Sequence, residues 1–223
     1  MILAGIASAQ KITWQKWFDY NNYDNSGQDV IQTFDGGYII LGVNYRTLNY
    51  SSILIKTNEY GTVEWQSIID QTVANGAQIE CYSIQQTPDS GFVLCGAQHN
   101  NDSAVLLKTD KFGIIQWIRN YTRPGMEAQF FNHKITLDGG IIACGGLFPP
   151  FKTYLVKTDS IGNIQWDSSY NLVSNKILQS DDGNFYILST NSISKIDIAG
   201  RIIWTKGIGG KNMIQLNTSV MST

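Results

Sequence analysis

Side chains that could act as metal ligands or general bases recur at one fixed spacing in this chain of 223 residues. An aspartate or asparagine precedes a glycine by three positions and a tryptophan by seven in KTNEYGTVEW (56–65), KTDKFGIIQW (108–117), KTDSIGNIQW (157–166) and KIDIAGRIIW (195–204). A hairpin turn explains the same residues, because Asp accepts backbone N–H bonds and glycine supplies a positive φ. We therefore predict no metal ligand among these acids, and assign structural roles to the turn glycines Gly61, Gly113, Gly162 and Gly200.

The spacing is also similar to motifs of two enzyme classes. Quinoprotein dehydrogenases carry a motif with one more residue between Asp and Gly, and their quinone site normally brings a calcium cluster. Sialidases carry Asp boxes with shorter spacings, and they hold a substrate carboxylate with three arginines. No acidic cluster stands out here, and none of the four arginines lies on a strand that we assign to a central channel. We therefore predict no catalytic residue and no cofactor.

Histidine and cysteine show no metal-binding pattern. His99 lies in the variable segment QHNNDS and His133 in FFNHKIT, and neither has a His, Cys or carboxylate partner at metal-ligand spacing. Cys95 and Cys144 occupy the position of a leucine in YIILG, so we predict that both are small core residues. With Cys81 the count is odd, and a Cys81–Cys95 disulfide within one hairpin is the pairing left open.

The repeated segments belong to a larger unit. A second signature precedes each of them, at TFDGGYIILG (33–42), TPDSGFVLCG (87–96), TLDGGIIACG (136–145) and, more weakly, SDDGNFYIL (180–188). Each unit therefore contains a strand, a D-G-G-type turn, an apolar strand, a variable loop, a strand ending in Lys, a D-x-x-G turn and a strand with Trp. One indole ring per unit is predicted to seal the contact with the next unit: Trp65, Trp117, Trp166 and Trp204.

Units of this kind predict an all-β fold, a β-propeller of four-stranded antiparallel blades. We expect one propeller domain at 10–223, with four complete blades at 21–70, 71–121, 122–170 and 171–206. A partial blade would combine an outer strand at 10–20 with the start of a further blade at 207–223. The propeller is then five-bladed, or the chain is a fragment of a larger one.

Composition excludes several classes of protein. The chain is 43% hydrophobic with a net charge of −2 and no charge block, so we expect a packed core and no nucleic-acid partner. No apolar run approaches the roughly 20 residues of a membrane-spanning helix, so we predict no membrane span, and we expect a monomer. Residues 1–9 end in an A-x-A site and are interpreted as the remnant of a signal peptide, with a chance match in a cytosolic protein as the alternative.

The paired T-x-D-G-G and K-T-D-x-x-G-x-I-x-W motifs, from residue 11 to about 206, resemble the repeats of a family of secreted bacterial β-propeller proteins. Many members of that family are exported by the type IX secretion route, usually with more repeats and often with a C-terminal sorting domain. The resemblance implies a propeller fold and a secreted or cell-surface location. It implies no settled biochemical activity.

Two groups of residues are candidate ligand-binding sites. The variable segments share one face of an up-and-down blade, where scaffolds usually hold functional residues. A binding rim is expected there at Tyr45, Arg46, His99, Phe148 and Phe151. A polar group on the inner strands is expected to line a central channel, at Asp29, Ser83, Asn132, Lys176 and Lys134. Solvated loops and water-filled packing compete with these two interpretations.

These features favour a non-enzymatic binding or structural module, secreted or on the cell surface, whose unidentified partner is a carbohydrate or a protein. The alternative is a carbohydrate-active propeller enzyme, a glycosidase or lyase. An inverting glycosidase needs two carboxyl groups about 6.5–9.5 Å apart, and Asp29 is the one acid apparent on the predicted inner strands. The sequence therefore favours binding over catalysis.

Overall fold

The structure, a computed structural model, describes residues 15–18, 24–46, 49–69 and 78–208, with the backbone alone at residues 24, 45, 46, 49 and 50. In these ranges the chain forms strands and no helix, and hence no helix that could cross a membrane. The interpreted signal remnant at 1–9 lies outside the described residues, as do most of the predicted strand at 10–20 and of the blade start at 207–223.

Four sheets, each of four antiparallel strands in chain order, make up the described chain. Blade 1 contains β1 (Asp24–Gln32), β2 (Tyr38–Arg46), β3 (Asn49–Thr57) and β4 (Val63–Ile69). Blade 2 contains β5 (Ile79–Gln86), β6 (Phe92–Gln98), β7 (Ser103–Thr109) and β8 (Ile115–Tyr121). Blade 3 contains β9 (Glu127–Ile135), β10 (Ile141–Phe148), β11 (Lys152–Thr158) and β12 (Ile164–Tyr170). Blade 4 contains β13 (Ser174–Gln179), β14 (Phe185–Ser189), β15 (Ser192–Ile196) and β16 (Ile202–Gly207).

The blades have a β-propeller-like arrangement, as the repeat predicted. Their first strands contact one another in succession, β1 with β5, β5 with β9 and β9 with β13, so these strands are innermost. Neighbouring blades enclose apolar seams, and adjacent residues of one strand serve opposite seams because side chains alternate across a sheet. Leu94 lies in the seam between blades 1 and 2, and Val93 in the seam between blades 2 and 3. This alternation explains why β6 is buried along its whole length and apolar from Phe92 to Ala97.

The tryptophans of the repeat pack on the turn glycine of the following blade. The contacting pairs are Trp65 with Gly113, Trp117 with Gly162, and Trp166 with Gly200. A Cβ atom added at these glycines would lie 2.9, 3.2 and 2.9 Å from the indole, so a side chain there would displace the ring. The same glycines, with Gly61, have φ between 70° and 83°, as the predicted turns require. Trp204 contacts Tyr186 of its own blade, with ring centroids 5.9 Å apart.

An ion pair joins the two sequence motifs within each blade. In blade 3, Nζ of Lys157 lies 2.9 Å from Oδ2 of Asp138 and donates to the Thr158 carbonyl at 2.9 Å. Lys157 is 4% exposed, whereas Asp138 faces solvent. The equivalent pairs are Lys56 with Asp35, Lys108 with Asp89, and Lys195 with Asp182. The lysine next to the last residue of each third strand therefore has a structural role that sequence analysis did not assign.

All three cysteines are buried and free, so the disulfide left open by the sequence, Cys81–Cys95, does not form. Burial raises the pKa of the Cys81 thiol to about 12, and burial likewise raises the pKa of Cys144 to about 12. A thiol that stays protonated is a poor nucleophile and a poor metal ligand. The cysteines are therefore core residues, as the position of Cys95 and Cys144 in the repeat predicted.

Candidate functional site

The hairpins of every blade point to two opposite faces. The uniform-turn face carries the turns between first and second strands and between third and fourth strands. Its polar side chains close those turns: Oδ1 of Asp110 accepts N–H bonds from Phe112 and Ile114, both at 2.9 Å. The variable-loop face carries the remaining connections, which in blades 2 to 4 are residues 99–102, 122–126, 149–151, 171–173 and 190–191.

The uniform-turn face also exposes apolar side chains at its turn tips: Phe34, Tyr60, Phe112, Leu137 and Ile161. Single exposed apolar residues are common on monomeric proteins. Their repetition here nevertheless makes this face a rival binding surface, and substitutions at its tips are natural controls for any test of the variable-loop face.

In the described part of the chain, clefts open on the variable-loop face on either side of the turn between β10 and β11. The neutral cleft, of about 370 Å³, lies between blades 3 and 4, and its lining includes Phe131, Phe151, Asn175, Leu188 and Thr190. The charged cleft, of about 520 Å³, lies between loops of blades 2 and 3, and its lining includes Asp102, Arg123, Glu127, Phe148 and Pro149. Both volumes fall within the range of small-molecule sites.

Two of the predicted rim residues contribute one wall to each cleft. The rings of Phe148 and Phe151 lie edge to face, with centroids 5.0 Å apart and an interplanar angle of 72°. Phe148 faces the charged cleft and Phe151 the neutral cleft. The predicted residues Tyr45 and Arg46 lie at the end of β2, and their side chains are outside the described part of the chain, so a binding role for them stays a prediction.

The charged cleft contains a cation that is already paired. Nη2 of Arg123 lies 2.6 Å from Oδ2 of Asp167, and the guanidinium sits 5.6 Å from the ring centroid of Tyr154. The Tyr154 hydroxyl donates to the same carboxylate oxygen at 3.0 Å. Arg123 is therefore fixed by protein groups, and an anionic ligand would compete with Asp167 for it.

Each innermost strand carries a β-bulge that sequence analysis missed. One extra residue interrupts the pairing of first and second strands in every blade, at Gln28, Tyr82, Phe131 and Asn175. A bulge re-aims its side chain and bends the strand. The rings of Tyr82 and Phe131 come to 5.8 Å from each other, and Phe131 and Asn175 reach the neutral cleft.

A glycine inside the second strand of blades 1 to 3 was the signal that could have located their bulges, whereas β14 of blade 4 contains no glycine. A Cβ at Gly96 would lie 1.9 Å from the Glu80 carbonyl oxygen, and one at Gly145 would lie 1.8 Å from the Gln129 carbonyl oxygen. These approaches exclude any side chain, so FVLCG and IIACG end in glycine because the bulged strand presses against them.

The predicted rim residue His99 is held by an acid on the innermost strand of its own blade. Its Nε2 lies 2.9 Å from Oε2 of Glu80, and the Tyr82 hydroxyl donates to the same oxygen at 3.0 Å. The hydrogen bond from His99 lowers the pKa of Glu80, and the hydrogen bond to Glu80 raises the pKa of His99. This pair anchors the loop at 99–102 and keeps Glu80 ionised.

The predicted channel residues Asp29, Ser83, Asn132 and Lys176 share one register position, directly after the bulge. Oδ2 of Asp29 accepts the N–H of Ile84 in the next blade at 3.0 Å. Oδ1 of Asn132 accepts the N–H of Ile177 in the next blade at 3.4 Å. Two members of the group therefore tie neighbouring innermost strands together, which accounts for their polarity without a ligand. Ligand binding at these positions stays a prediction.

Lys134 connects three of the innermost strands electrostatically. Burial and the positive charge of Lys176 lower its pKa, while the carboxylate of Asp29 opposes that shift. Charges on blades 1, 3 and 4 thus act on one another, as expected of residues that surround a common axis.

One buried histidine replaces the isoleucine of the other seams. Ile84 and Ile177 are buried directly after the channel residues of their strands. At the same position His133 places an imidazole with 0% exposure. Neither ring nitrogen of His133 makes a well-aligned hydrogen bond, although the Val93 backbone lies close enough to favour the protonated ring slightly. Burial, reinforced by the charge of Lys134, lowers its pKa to about 3. His133 is therefore a neutral ring inside the seam between blades 2 and 3.

No three His, Cys, Asp or Glu side chains of the described ranges come close enough to hold a metal ion. The chain matches no protein-family model and no curated protein. Among solved structures it is similar to one described as "Crystal structure of the eukaryotic initiation factor", with 10% sequence identity and a TM-score of 0.43, over 82% of this chain and 55% of that chain. The chain thus spans about half the length of that structure, and a similarity this low carries no argument about function.

Proposed function

We propose that this chain is a non-enzymatic β-propeller module that binds a carbohydrate or protein ligand through its variable-loop face. The observation that carries the proposal is the position of both clefts on that face. On the opposite face the polar groups close the turns, as the hydrogen bonds to Asp110 and Asp159 illustrate. Binding proteins commonly place recognition residues on loops that a rigid scaffold holds in position.

The acids beside these loops suit binding better than catalysis by a glycosidase. Such an enzyme needs a carboxyl group that stays protonated because its pKa is raised. Glu80, whose side chain is 16% exposed, has a lowered pKa because His99 and Tyr82 stabilise its ionised form. Glu127 accepts a hydrogen bond from the Gln129 amide at 2.5 Å.

A secreted or cell-surface location is part of the proposal. It rests on the A-x-A site before Gln10 and on the resemblance of the repeats to secreted bacterial propellers. N-terminal sequencing of the protein isolated from its native source should then begin at Gln10. A mature chain that keeps residues 1–9 would contradict the interpretation of that segment as a signal remnant.

An array that carries glycans and peptides tests the proposed function. Wild-type protein is compared with a loop-face variant, Phe148→Ala with Phe151→Ala, and with a control in which Phe34→Ala and Phe112→Ala remove exposed rings from the uniform-turn face. We expect the loop-face variant to lose the bound ligand and the control to keep it. Bound glycans should be recovered uncleaved.

Two outcomes would contradict the proposal. Loss of binding in the control alone would move the interaction to the uniform-turn face. Release of shortened glycan by the wild-type protein, and not by a buffer blank, would favour the carbohydrate-active enzyme instead.

A further inference from the structure

The neutral cleft is assembled from two blades and three loops. Phe131 comes from the bulge of β9, Phe151 from the turn between β10 and β11, and Asn175 from the bulge of β13. Leu188 and Thr190 come from the end of β14 and the turn that follows. A cleft whose walls come from independent elements can hold a ligand against several chemically different groups at once.

The two aromatic walls of the cleft are held by their own partners. Phe131 packs against Tyr82 at 5.8 Å, and Phe151 packs edge to face against Phe148 at 5.0 Å. Paired rings have little freedom left to lose when a ligand arrives, so they present preformed apolar surfaces.

Unused hydrogen-bonding groups stand beside these rings. The side chains of Asn175 and Thr190 are exposed, and neither makes a side-chain hydrogen bond to another described residue. In contrast, the Ser174 hydroxyl donates to the Leu188 carbonyl at 2.6 Å, and the Ser189 hydroxyl is engaged with Ser192. The amide of Asn175 and the hydroxyl of Thr190 are therefore available to donate to and accept from a ligand.

The lining of this cleft carries no Asp, Glu, Lys, Arg or His, unlike that of the charged cleft, which includes Asp102, Arg123 and Glu127. A charged ligand would lose hydration in the neutral cleft without gaining a partner. A purely apolar ligand would cover the Asn175 amide and the Thr190 hydroxyl and leave both unpaired. A suitable ligand is uncharged, and it combines apolar C–H faces with hydroxyl groups.

We infer that the neutral cleft binds an uncharged sugar, either the end of a glycan or a short neutral oligosaccharide. The ring faces of the sugar pack on Phe131 and Phe151, and its hydroxyls hydrogen-bond to Asn175 and Thr190. This inference rests on the proposed function, because it names the ligand class of one part of the variable-loop face.

Calorimetry and saturation-transfer NMR with four neutral probes, cellohexaose, maltohexaose, laminarihexaose and mannohexaose, test the inference. Hexagalacturonate and an acidic heptapeptide serve as charged probes. We expect binding of at least one neutral probe, about tenfold weaker in Phe151→Ala because a stacking wall is lost. Asn175→Ala and Thr190→Ala should each weaken binding several-fold, and Thr190→Ser should retain it. Phe112→Ala on the opposite face is the matched control and should bind like the wild type.

The outcomes separate this inference from the proposed function. Failure of all four neutral probes, or neutral binding that Phe151→Ala, Asn175→Ala and Thr190→Ala leave unchanged, overturns the sugar site. If hexagalacturonate or the peptide binds instead and Phe148→Ala abolishes that binding, the charged cleft is the binding site. The sugar inference then fails, and the proposed function of the variable-loop face is supported. Loss of binding only in Phe112→Ala overturns both. Circular dichroism of each variant confirms that the blades are folded.

Discussion

The two faces of the blades are built on the same strands and use their residues in opposite ways. On the uniform-turn face, the Lys157–Asp138 pair and its counterparts are ion pairs that stabilise each blade internally. On the variable-loop face, the rings of Phe148 and Phe151 separate two clefts, and the Asn175 side chain faces open space. Repeated residues in this chain hold the fold together, whereas varied residues line the clefts that we propose as the binding surface.

The largest expected effect is the loss of a buried cation from the uniform-turn face. Lys157→Met keeps the length of the side chain but removes the donor to Asp138 and to the Thr158 carbonyl. We expect the free energy of unfolding to fall by about 3 kcal/mol, because the buried carbonyl loses its charged partner. Urea denaturation measures this loss.

Lys152→Met on the same strand is the matched control. Lys152 lies at the variable-loop end of β11 and forms no ion pair with any described residue. Its substitution should change the stability by less than about 0.5 kcal/mol. If both substitutions lowered the free energy of unfolding equally, the proposed difference between the uniform-turn face and the variable-loop face would be wrong.

The fold was predictable because its determinants are local and repeated. Asp110 and Gly113 identify a turn within four residues, and alternating seams explain the apolar strands such as FVLCG. The ion pair between Lys108 and Asp89 was not apparent, because Lys108 lies on β7 and Asp89 in the turn before β6, and only the folded blade brings them together.

The candidate site was predictable only in part. Phe148 and Phe151 were found because they stand in a segment that differs between units, which is a property of sequence. Phe131 and Asn175 were missed, since a single bulged residue shifts a strand by one position and leaves little trace in the pattern of apolar residues. The grouping of these residues with Thr190 depends on how two blades pack, and no spacing in the chain encodes it.

The second-largest effect is a pH dependence of stability, which comes from His133 in the seam between blades 2 and 3. The His133 pKa is about 3 in the folded chain and about 6.5 when unfolded. Above pH 6.5 both states are neutral, but between pH 6.5 and 3 only the unfolded state binds a proton, so stability falls as the pH falls. At pH 5 the loss is about 2 kcal/mol. His133→Ile, which restores the residue of the other seams, should abolish it.

Denaturation of wild type and His133→Ile at pH 5, 6 and 7 checks this prediction. Carboxylates such as Asp35 and Asp138, whose pKa values are about 2, are present in both proteins. The difference between the two curves therefore isolates the histidine. Parallel curves between pH 7 and 5 would show that His133 is solvated or hydrogen-bonded.

A smaller effect should come from one strained turn on the uniform-turn face. Ser90 has a φ of 66°, at the position where Gly36 and Gly139 have φ of 84° and 78°. A left-handed conformation is costly for a residue with a Cβ, so Ser90→Gly should stabilise the protein by about 0.5–1 kcal/mol, and the converse Gly139→Ser should destabilise it by a similar amount. The midpoint of thermal unfolding measures both, and ligand binding at the variable-loop face should be unaffected by either.

The smallest effect on stability concerns His99, whose environment differs from that of His133, the other histidine of the chain. His99 on the variable-loop face has a raised pKa because of Glu80, so the stability from its charge is complete below about pH 6.5 and is lost as the pH rises through the raised value. A partly exposed pair of this kind contributes at most about 1 kcal/mol. An NMR titration should therefore find one imidazole with a pKa above that of a free histidine and a second that stays neutral down to acidic pH. Glu80→Gln should return only the first to its ordinary value. Two ordinary titrations would mean that neither the His99–Glu80 pair nor the buried environment of His133 exists as described.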